Sequence, residues 1–541
     1  MKKQTFITGI LFLITLYLYG QDTIGTVLVK DIKSFEGYNY NDYNSSFPQG
    51  FIAVDGNLYF SANYKNELWK TDGTSLGTQL VKTFGSSSGY VDYLTPFGNS
   101  LLFSAYDGIC CSQPWISDGT TAGTRLFSTS NPTNPNNFFV YNNKVFFSAN
   151  YNNTSQLWVS DGTNSGTTVL TRTGTGDRNP YGFFPFKNKL FFACQSNMYT
   201  AKLWVTDGTV DSTYELAISG SLFDKSISFF KPCIYKDMMY YSSSTAINGN
   251  ELWRTDGTTN GTALFKDINI VQGKNSNPRN FTVCNSNLYF VASDDSTNNT
   301  NKLFYTDGDS LYTVKYNKDI YTFNDVFVIN NKLFAEIQVK YNDPFLLCEV
   351  NDKTDSLVPF LSSDSTLLYS ITRLTTWNNQ LLFQKSNTGN TLWTTDGTIQ
   401  NTHLLFPDSI IRKTATMNSS SLFEWNNELY YAGFQNDSIG TELYKITTDR
   451  KILEQQTGSA IVSKYKTSLF PNPCKSKILI NFNGIREKRH IKVFSLLGNV
   501  VYDSVSSDSD VSIDLQQLPN GIYLVSIESN SKFESYKIIK Q

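Results

Sequence analysis

Histidine is almost absent from this 541-residue chain: there are two, His403 and His490. A His-rich metal centre is thereby excluded, and a Ser-His-Asp hydrolase is disfavoured. Cysteine is sparse and irregular. The seven are Cys110, Cys111, Cys194, Cys233, Cys284, Cys348 and Cys474. An odd number at uneven spacing is not a disulfide framework, and no metal-ligand Cys spacing occurs. The adjacent Cys110 and Cys111 could join as a vicinal disulfide. There is no Gly-rich phosphate loop. Charged residues make up 17% of the chain, the formal net charge is −2, and no basic cluster forms. Nucleic acid is therefore excluded as a partner. Helical apolar periodicity is missing beyond the first twenty residues. No apolar run reaches the ~20 residues of a spanning helix, so no transmembrane segment is expected.

What the chain does have is repetition. Leu68-Trp69-Lys70-Thr71-Asp72-Gly73-Thr74 returns around Trp115 with Asp118, Trp158 with Asp161, Trp204 with Asp207, Trp253 with Asp256 and Trp393 with Asp396. A weaker copy centres on Phe304 and Asp307. The period is roughly 40 to 55 residues, the mark of an array of like units. A second column recurs nine times, opening at Val54, Phe97, Tyr141, Phe186, Tyr235, Cys284, Ile329, Trp377 and Trp425. Each copy has an apolar residue, a polar pair and an apolar-aromatic run. Pairs such as Asp55-Gly56, Asn142-Asn143, Asn330-Asn331, Asn378-Asn379 and Asn426-Asn427 suit two-residue hairpin turns. All eight Trp fall in one of the two columns, which argues for a structural role. Cys284 fills an aromatic column and reads as a small core residue.

The unit is four short antiparallel strands. In the fifth copy these are Phe229–Tyr235, Met238–Ser243, Glu251–Thr255 and Thr262–Ile268, which is the blade of a β-propeller. The seventh copy is degenerate around Leu347–Asp352 and reads as a poor blade. Thr26–Ile32 resembles a fourth strand without a blade, and the last copy lacks one. Pairing them near Leu443–Thr447 would close a ring of about nine blades and remove an open edge. The expected fold is all-β: such a propeller, followed by a small Ig-like β-sandwich.

The recurrent Asp residues carry two readings. One is turn chemistry, the carboxylate capping its own backbone while Gly73 and its equivalents take positive φ. The other is a ring of carboxylates for Ca²⁺, which wants six to eight oxygens where each turn offers one carboxylate. Turn chemistry is the reading adopted, with no metal, cofactor or catalytic residue assigned. Paired carboxylates for sugar hydrolysis are not identifiable from sequence.

The repeats resemble the family named for its consensus Glu-Leu-Trp-x-x-Asp-Gly-Thr, found in secreted and surface proteins of the Bacteroidetes. Glu67–Thr74 and Glu251–Thr258 match every fixed position. Scattered Asp-Ser/Thr pairs followed by an apolar residue or Thr, among them Asp211-Ser212-Thr213 and Asp364-Ser365-Thr366, look like the O-glycosylation acceptor of the same bacteria.

Both ends of the chain concern export. Lys2-Lys3 followed by the apolar run Phe6–Tyr19 reads as a signal peptide over 1–20. The repeat region spans 21–450 and a polar linker 451–466. Residues 467–541 carry Pro471-Asn472-Pro473, Gly498 in a turn, and Gly521 and Tyr523 in a Gly-Ile-Tyr strand. This segment resembles the type A sorting domain of the type IX secretion system. The resemblance implies the type IX machinery and a sortase-like peptidase as partners, and an extracellular or outer-membrane surface location. Together these signals describe an exported, non-enzymatic binding or adhesion protein whose loops meet an extracellular glycan or protein ligand. The alternatives are a propeller enzyme acting on polysaccharide and a structural surface component.

Overall fold

The computed structural model describes residues 25–33, 45–85, 90–109, 111–128, 132–170, 178–195, 201–216, 231–294, 300–314, 320–351, 356–385, 392–405, 422–434, 440–447, 468–470, 474–482, 486, 488–495, 500–529 and 533–541. The signal segment, the linker, Cys110, Pro471, Asn472, Pro473 and Gly498 lie outside them, so the vicinal Cys pair is not described. No helix among the described residues is long and apolar enough to cross a membrane.

Strand formation starts from the paired turns. Asp55-Gly56, Asn142-Asn143, Asn330-Asn331, Asn378-Asn379 and Asn426-Asn427 all have positive φ at both positions, between 45° and 72°. That is the primed geometry whose twist matches the flanking strands, and Asn, Asp and Gly reach it at least cost. Each turn joins an inner strand to a second strand almost wholly buried, as in Asn57–Ala62 and Asn287–Ala292.

The unit Ile24–Thr447 is built from nine four-stranded antiparallel sheets among the described residues. Blade 1 comprises Gln49–Val54, Asn57–Ala62, Glu67–Thr71 and Gln79–Thr83. Blades 2 to 8 follow, with inner strands Asp92–Phe97, Thr133–Tyr141, Arg178–Phe186, Cys233–Tyr235, Arg279–Cys284, Thr322–Ile329 and Ile371–Trp377. Blade 9 takes Phe423–Trp425, Glu428–Phe434 and Thr441–Thr447 from the end of the unit and Gly25–Lys30 from its beginning. Thr26 faces Ile446, and Leu28 faces Tyr444. The strand pairing expected between the two ends is therefore present.

Nine hydrophobic cores lie between successive sheets. Val54 and Tyr59 of blade 1 pack with Phe103 and Trp115 of blade 2, and the pattern repeats around the unit. The remaining core joins Val29, Tyr430 and Leu443 of blade 9 to Phe51 and Phe60 of blade 1. The two sequence columns meet within each blade as cross-strand neighbours. Phe103 opposes Trp115, Phe147 opposes Trp158 and Phe383 opposes Trp393. Their rings stack with centroids 6.5, 6.3 and 6.3 Å apart, within the range where aromatic pairs attract beyond their buried area.

Two expectations are corrected. The seventh unit is a complete blade of Thr322–Ile329, Lys332–Gln338, Leu346–Asn351 and Ser356–Pro359. It lacks the Trp and Asp-Gly signature, yet Leu347, Cys348 and Val350 are buried on both faces of its third strand, and burial decides the outcome. In the fifth unit the expected strand Phe229–Tyr235 is described only from Lys231 and forms Cys233–Tyr235, Phe229 and Phe230 lying outside the described residues.

The C-terminal unit has two sheets, Ser468–Phe470, Lys477–Asn481 and Asp510–Asp514, and Arg489–Ser495, Val500–Ser506, Gly521–Ser529 and Phe533–Lys540. Ile478, Ile480 and Ile513 of the first share one core with Ile491, Val493 and Val525 of the second, a small β-sandwich. Asp510–Asp514 was not anticipated. Val511 and Ile513 alternate inward along it.

Candidate functional site

The repeated Asp-Gly turn is a closed hydrogen-bond circuit. Asp72 Oδ1 accepts from the Thr74 amide at 2.9 Å and its hydroxyl at 2.7 Å. Thr74 Oγ1 accepts from the Gly77 amide, and Thr78 donates to the Thr74 carbonyl. Thr71 Oγ1 accepts from the Gly73 amide and donates to the Thr78 hydroxyl, whose own proton goes to the Thr74 carbonyl. The same bonds to the following Thr are made by Asp118, Asp161, Asp207, Asp256 and Asp396. The Thr hydroxyls, ahead of the backbone amides, hold the carboxyls of Asp118, Asp161 and Asp256 below the usual Asp range.

The circuit explains the second glycine of the repeat. A methyl at Gly77, Gly123, Gly166 or Gly261 would overlap the carboxylate of Asp72, Asp118, Asp161 or Asp256. Of the six Asp-Gly-Thr copies, two depart from glycine. Ser212 bonds to Asp207, and the Asn401 amide donates to Asp396 at 2.6 Å. Replacement is thus met by a hydrogen bond. No group of three His, Cys, Asp or Glu among the described residues could hold a metal ion.

Each turn docks on the preceding blade. Gly73 has φ of 90° and lies against Tyr430 of blade 9, and Gly119 with φ of 84° lies against Tyr59 of blade 1. Lys445 donates to the Gly73 carbonyl, Arg254 to that of Gly308 and Asn330 to that of Asp396. The third-strand Trp residues pack the same way. Trp253 is 4% exposed in the core between blades 4 and 5. Trp115, Trp158, Trp204 and Trp393 are buried in equivalent cores. Trp69 is half-buried, and its indole N–H donates to Glu67 at 2.8 Å.

The Glu of the repeat has a separate task. Glu251 is fully buried and accepts from the Ile268 and Ser276 amides and, at 2.6 Å, the Ser276 hydroxyl. It ties the outgoing end of one blade to the approach to the next. Glu442 does the same with the Ile32 and Ser46 amides. Burial pushes both carboxyls up to about 7, against the pull of these hydrogen bonds.

One concavity gathers chemically useful groups. It encloses about 570 Å³ at the inner-strand turns of blades 7, 8 and 9, within the ~300–1,000 Å³ usual for small-ligand pockets. Thr376, Asn378, Asn379 and Asn427 line it with a hydroxyl and amides, over apolar Phe327, Ile329 and Trp377. Trp377 is locked across the blade boundary by its indole N–H to the Asn427 carbonyl, 2.9 Å. Glu424 supplies the one carboxylate among the described lining residues. Amides and a hydroxyl over an apolar floor can form hydrogen bonds to a hydroxyl-rich ligand.

Sequence reading missed this pocket. Its Asn residues were recognised as turns, and their convergence is a tertiary fact. Glu424 did leave a signal. The residue before the column is Ala53, Pro96, Val140, Pro185, Ile234, Val283, Val328 and Thr376 in the other copies, and Glu424 is the one charge. Among the sorting-motif residues, Gly521 starts a strand, and the Tyr523 hydroxyl donates to the Pro519 carbonyl at 2.7 Å. Cys284 is buried beneath blade 7, as a core residue.

Residues 468–541 match a family described as a secretion system C-terminal sorting domain. Such a tail of the type IX system marks the chain for export to the cell surface or extracellular space and for contact with the secretion machinery. No curated protein matches the sequence. Among solved structures, the chain is similar to PorZ, an essential bacterial surface component of the type-IX secretion system of Porphyromonas gingivalis. The identity is 11%, with 91% of this chain and 75% of that one covered and a TM-score of 0.36. A computationally designed protein is similar at 13% identity, covering 68% of this chain and 98% of its own, with a TM-score of 0.36. An oligogalacturonate lyase in complex with manganese is similar at 12% identity, covering 68% of this chain and 100% of its own, with a TM-score of 0.35.

Proposed function

We propose that this chain is an exported, non-enzymatic binding protein that holds an extracellular glycan in the pocket between blades 7, 8 and 9. The observation that carries the reading is the lining: amides and a hydroxyl over an apolar floor, with Glu424 as the one carboxylate among its described residues. The propeller is read as a closed ring, supported by the blade 9 strand drawn from the other end of the unit and by the core shared with blade 1. The repeats are assigned to the Glu-Leu-Trp-x-x-Asp-Gly-Thr family on their own residues. Residues 1–20 serve as the export leader, 21–450 as the binding scaffold, and 467–541 as a sorting domain that a sortase-like peptidase removes.

The test is calorimetric titration with a panel of neutral and acidic oligosaccharides, using the protein and its Asn378→Gly/Asn379→Gly variant. Glycine keeps the positive-φ turn and removes both amides. Saturable binding without turnover, lost in the variant, supports the reading. Reducing-end release from a polysaccharide that Glu424→Gln abolishes would replace it with the enzyme reading.

A further inference from the structure

The chain enters the inner strand through a recurrent pair of left-handed residues three positions apart. The pairs are Phe47 and Gly50, Tyr90 and Tyr93, Asn134 and Asn137, Asn179 and Gly182, and Asn277 and Asn280, with φ from 37° to 69°. The pairing register with the second strand shifts at the same place in each. Asn and Gly fill most of these places because they tolerate this conformation. Blade 2 uses tyrosine at both. Tyr90 is 54% exposed and Tyr93 50%, so neither offsets its backbone cost of about 1–3 kcal/mol by burial in the core.

A third exposed tyrosine lies nearby. Tyr64, in the turn after the second strand of blade 1, is 54% exposed and also has positive φ, 57°. The Phe47 ring stands 5.1 Å behind it. The two groups are tied together. The Val91 amide donates to the Lys65 carbonyl at 2.8 Å, and Lys65 Nζ lies 2.7 Å from both oxygens of Asp92. In the chain, Tyr64 on one side and Tyr90 and Tyr93 on the other flank the Lys65–Asp92 pair. Turns alternate between the two ends of a blade, so this cluster occupies the end opposite the pocket of blades 7 to 9.

We propose that this cluster is a second carbohydrate site, taking the pyranose rings of a neutral polysaccharide on Tyr64, Tyr90 and Tyr93. Aromatic faces pack against the C–H face of a sugar ring. The half-exposed Lys65–Asp92 pair is neutral overall, and Lys33 Nζ stands 5.7 Å from the centre of the Tyr64 ring as a further donor. Lys65 donates and Asp92 accepts, and vicinal hydroxyls can satisfy both. Strained tyrosines held in the open at both places, where the other blades have Asn or Gly at all but Phe47, mark a ligand surface rather than a packing element.

The experiment is affinity electrophoresis of the full chain through native gels cast with laminarin, soluble xylan or dextran. It is run in the Asn378→Gly/Asn379→Gly background, so the first site does not contribute. At least one polysaccharide should retard the protein. Adding Tyr90→Asn/Tyr93→Asn should weaken that binding about tenfold or more, while the melting temperature stays level or rises. No retardation by any of the three, or retardation that survives the tyrosine changes, overturns the proposal. A lowered melting temperature assigns the tyrosines a packing role and also overturns it. Loss of binding at the first site alone leaves this result unchanged, so the two readings fail separately.

Discussion

The Glu442 carboxylate accepts from the Ser46 amide at 2.9 Å and from its hydroxyl at 2.6 Å, across 396 positions of sequence. Glu251 and Ser276 make the same pair across 25 positions. One local device, the Glu that holds the approach to the next blade, thus becomes the bond between the two ends of the unit. The difference is only which blade comes next.

Removing that acceptor leaves buried donors unsatisfied. Such a group costs about 1–3 kcal/mol. Glu442→Ala should lower the denaturant midpoint and expose the N-terminal strand Gly25–Lys30, which pairs with the strand carrying Glu442, to protease. Glu251→Ala should lower the midpoint by a similar amount without that N-terminal cleavage.

Stability should pass through a maximum in mild acid. The folded-state carboxyls of Glu251 and Glu442 rise to about 7, above the ~4.3 of an unfolded Glu. Their contribution is complete below about pH 4.3 and is lost as pH rises through about 7. The turn carboxyls Asp118, Asp161 and Asp256 are lowered. Their contribution is present above about pH 3.9 and is lost as pH falls further. Melting temperatures measured from pH 3 to 9 should fall on both sides of roughly pH 4–5. Glu251→Gln with Glu442→Gln should flatten only the alkaline limb.

The second glycine of the turn should be far less replaceable in some blades than in others. Gly77→Ala and Gly261→Ala place a methyl on the Asp72 and Asp256 carboxylates and should each cost about 1–3 kcal/mol. Ser212→Gly removes only a hydrogen bond to Asp207, so its cost should be about 1 kcal/mol or less. Equal losses at all three positions by chemical denaturation would reject the steric account.

Trp253 is buried where blades 4 and 5 meet. Trp253→Ala should cost about 3–5 kcal/mol, as large-to-small changes in cores do. Unchanged thermal stability with selective loss of carbohydrate binding would instead make the Trp column a ligand platform.

Deleting residues 468–541, which match the sorting domain, should leave a folded repeat unit in the periplasm of the native host. Cell fractionation checks this. Normal amounts of the truncated protein outside the cell would show that export runs by another route.

The sequence by itself determined the strands, the turns and the blade. Paired Asn and Asp-Gly residues dictate primed hairpins because few other residues accept two successive positive φ angles. The Asp-Gly-Thr circuit is equally local, spanning Thr71 to Thr78, so its capping role could be read from spacing alone. Tertiary structure decided the rest. Blade 7 forms without the repeat signature, because burial of Leu347 and Cys348 outweighs a missing turn motif. The pocket exists only where the turns of Asn378-Asn379 and Asn427 converge with Glu424. Lys65, beside Tyr64, meets the Tyr90–Tyr93 segment across the boundary between blades 1 and 2. Backbone preference acts over a few residues and repeats with the sequence. A site needs side chains from different copies, and their meeting depends on the arrangement of whole blades.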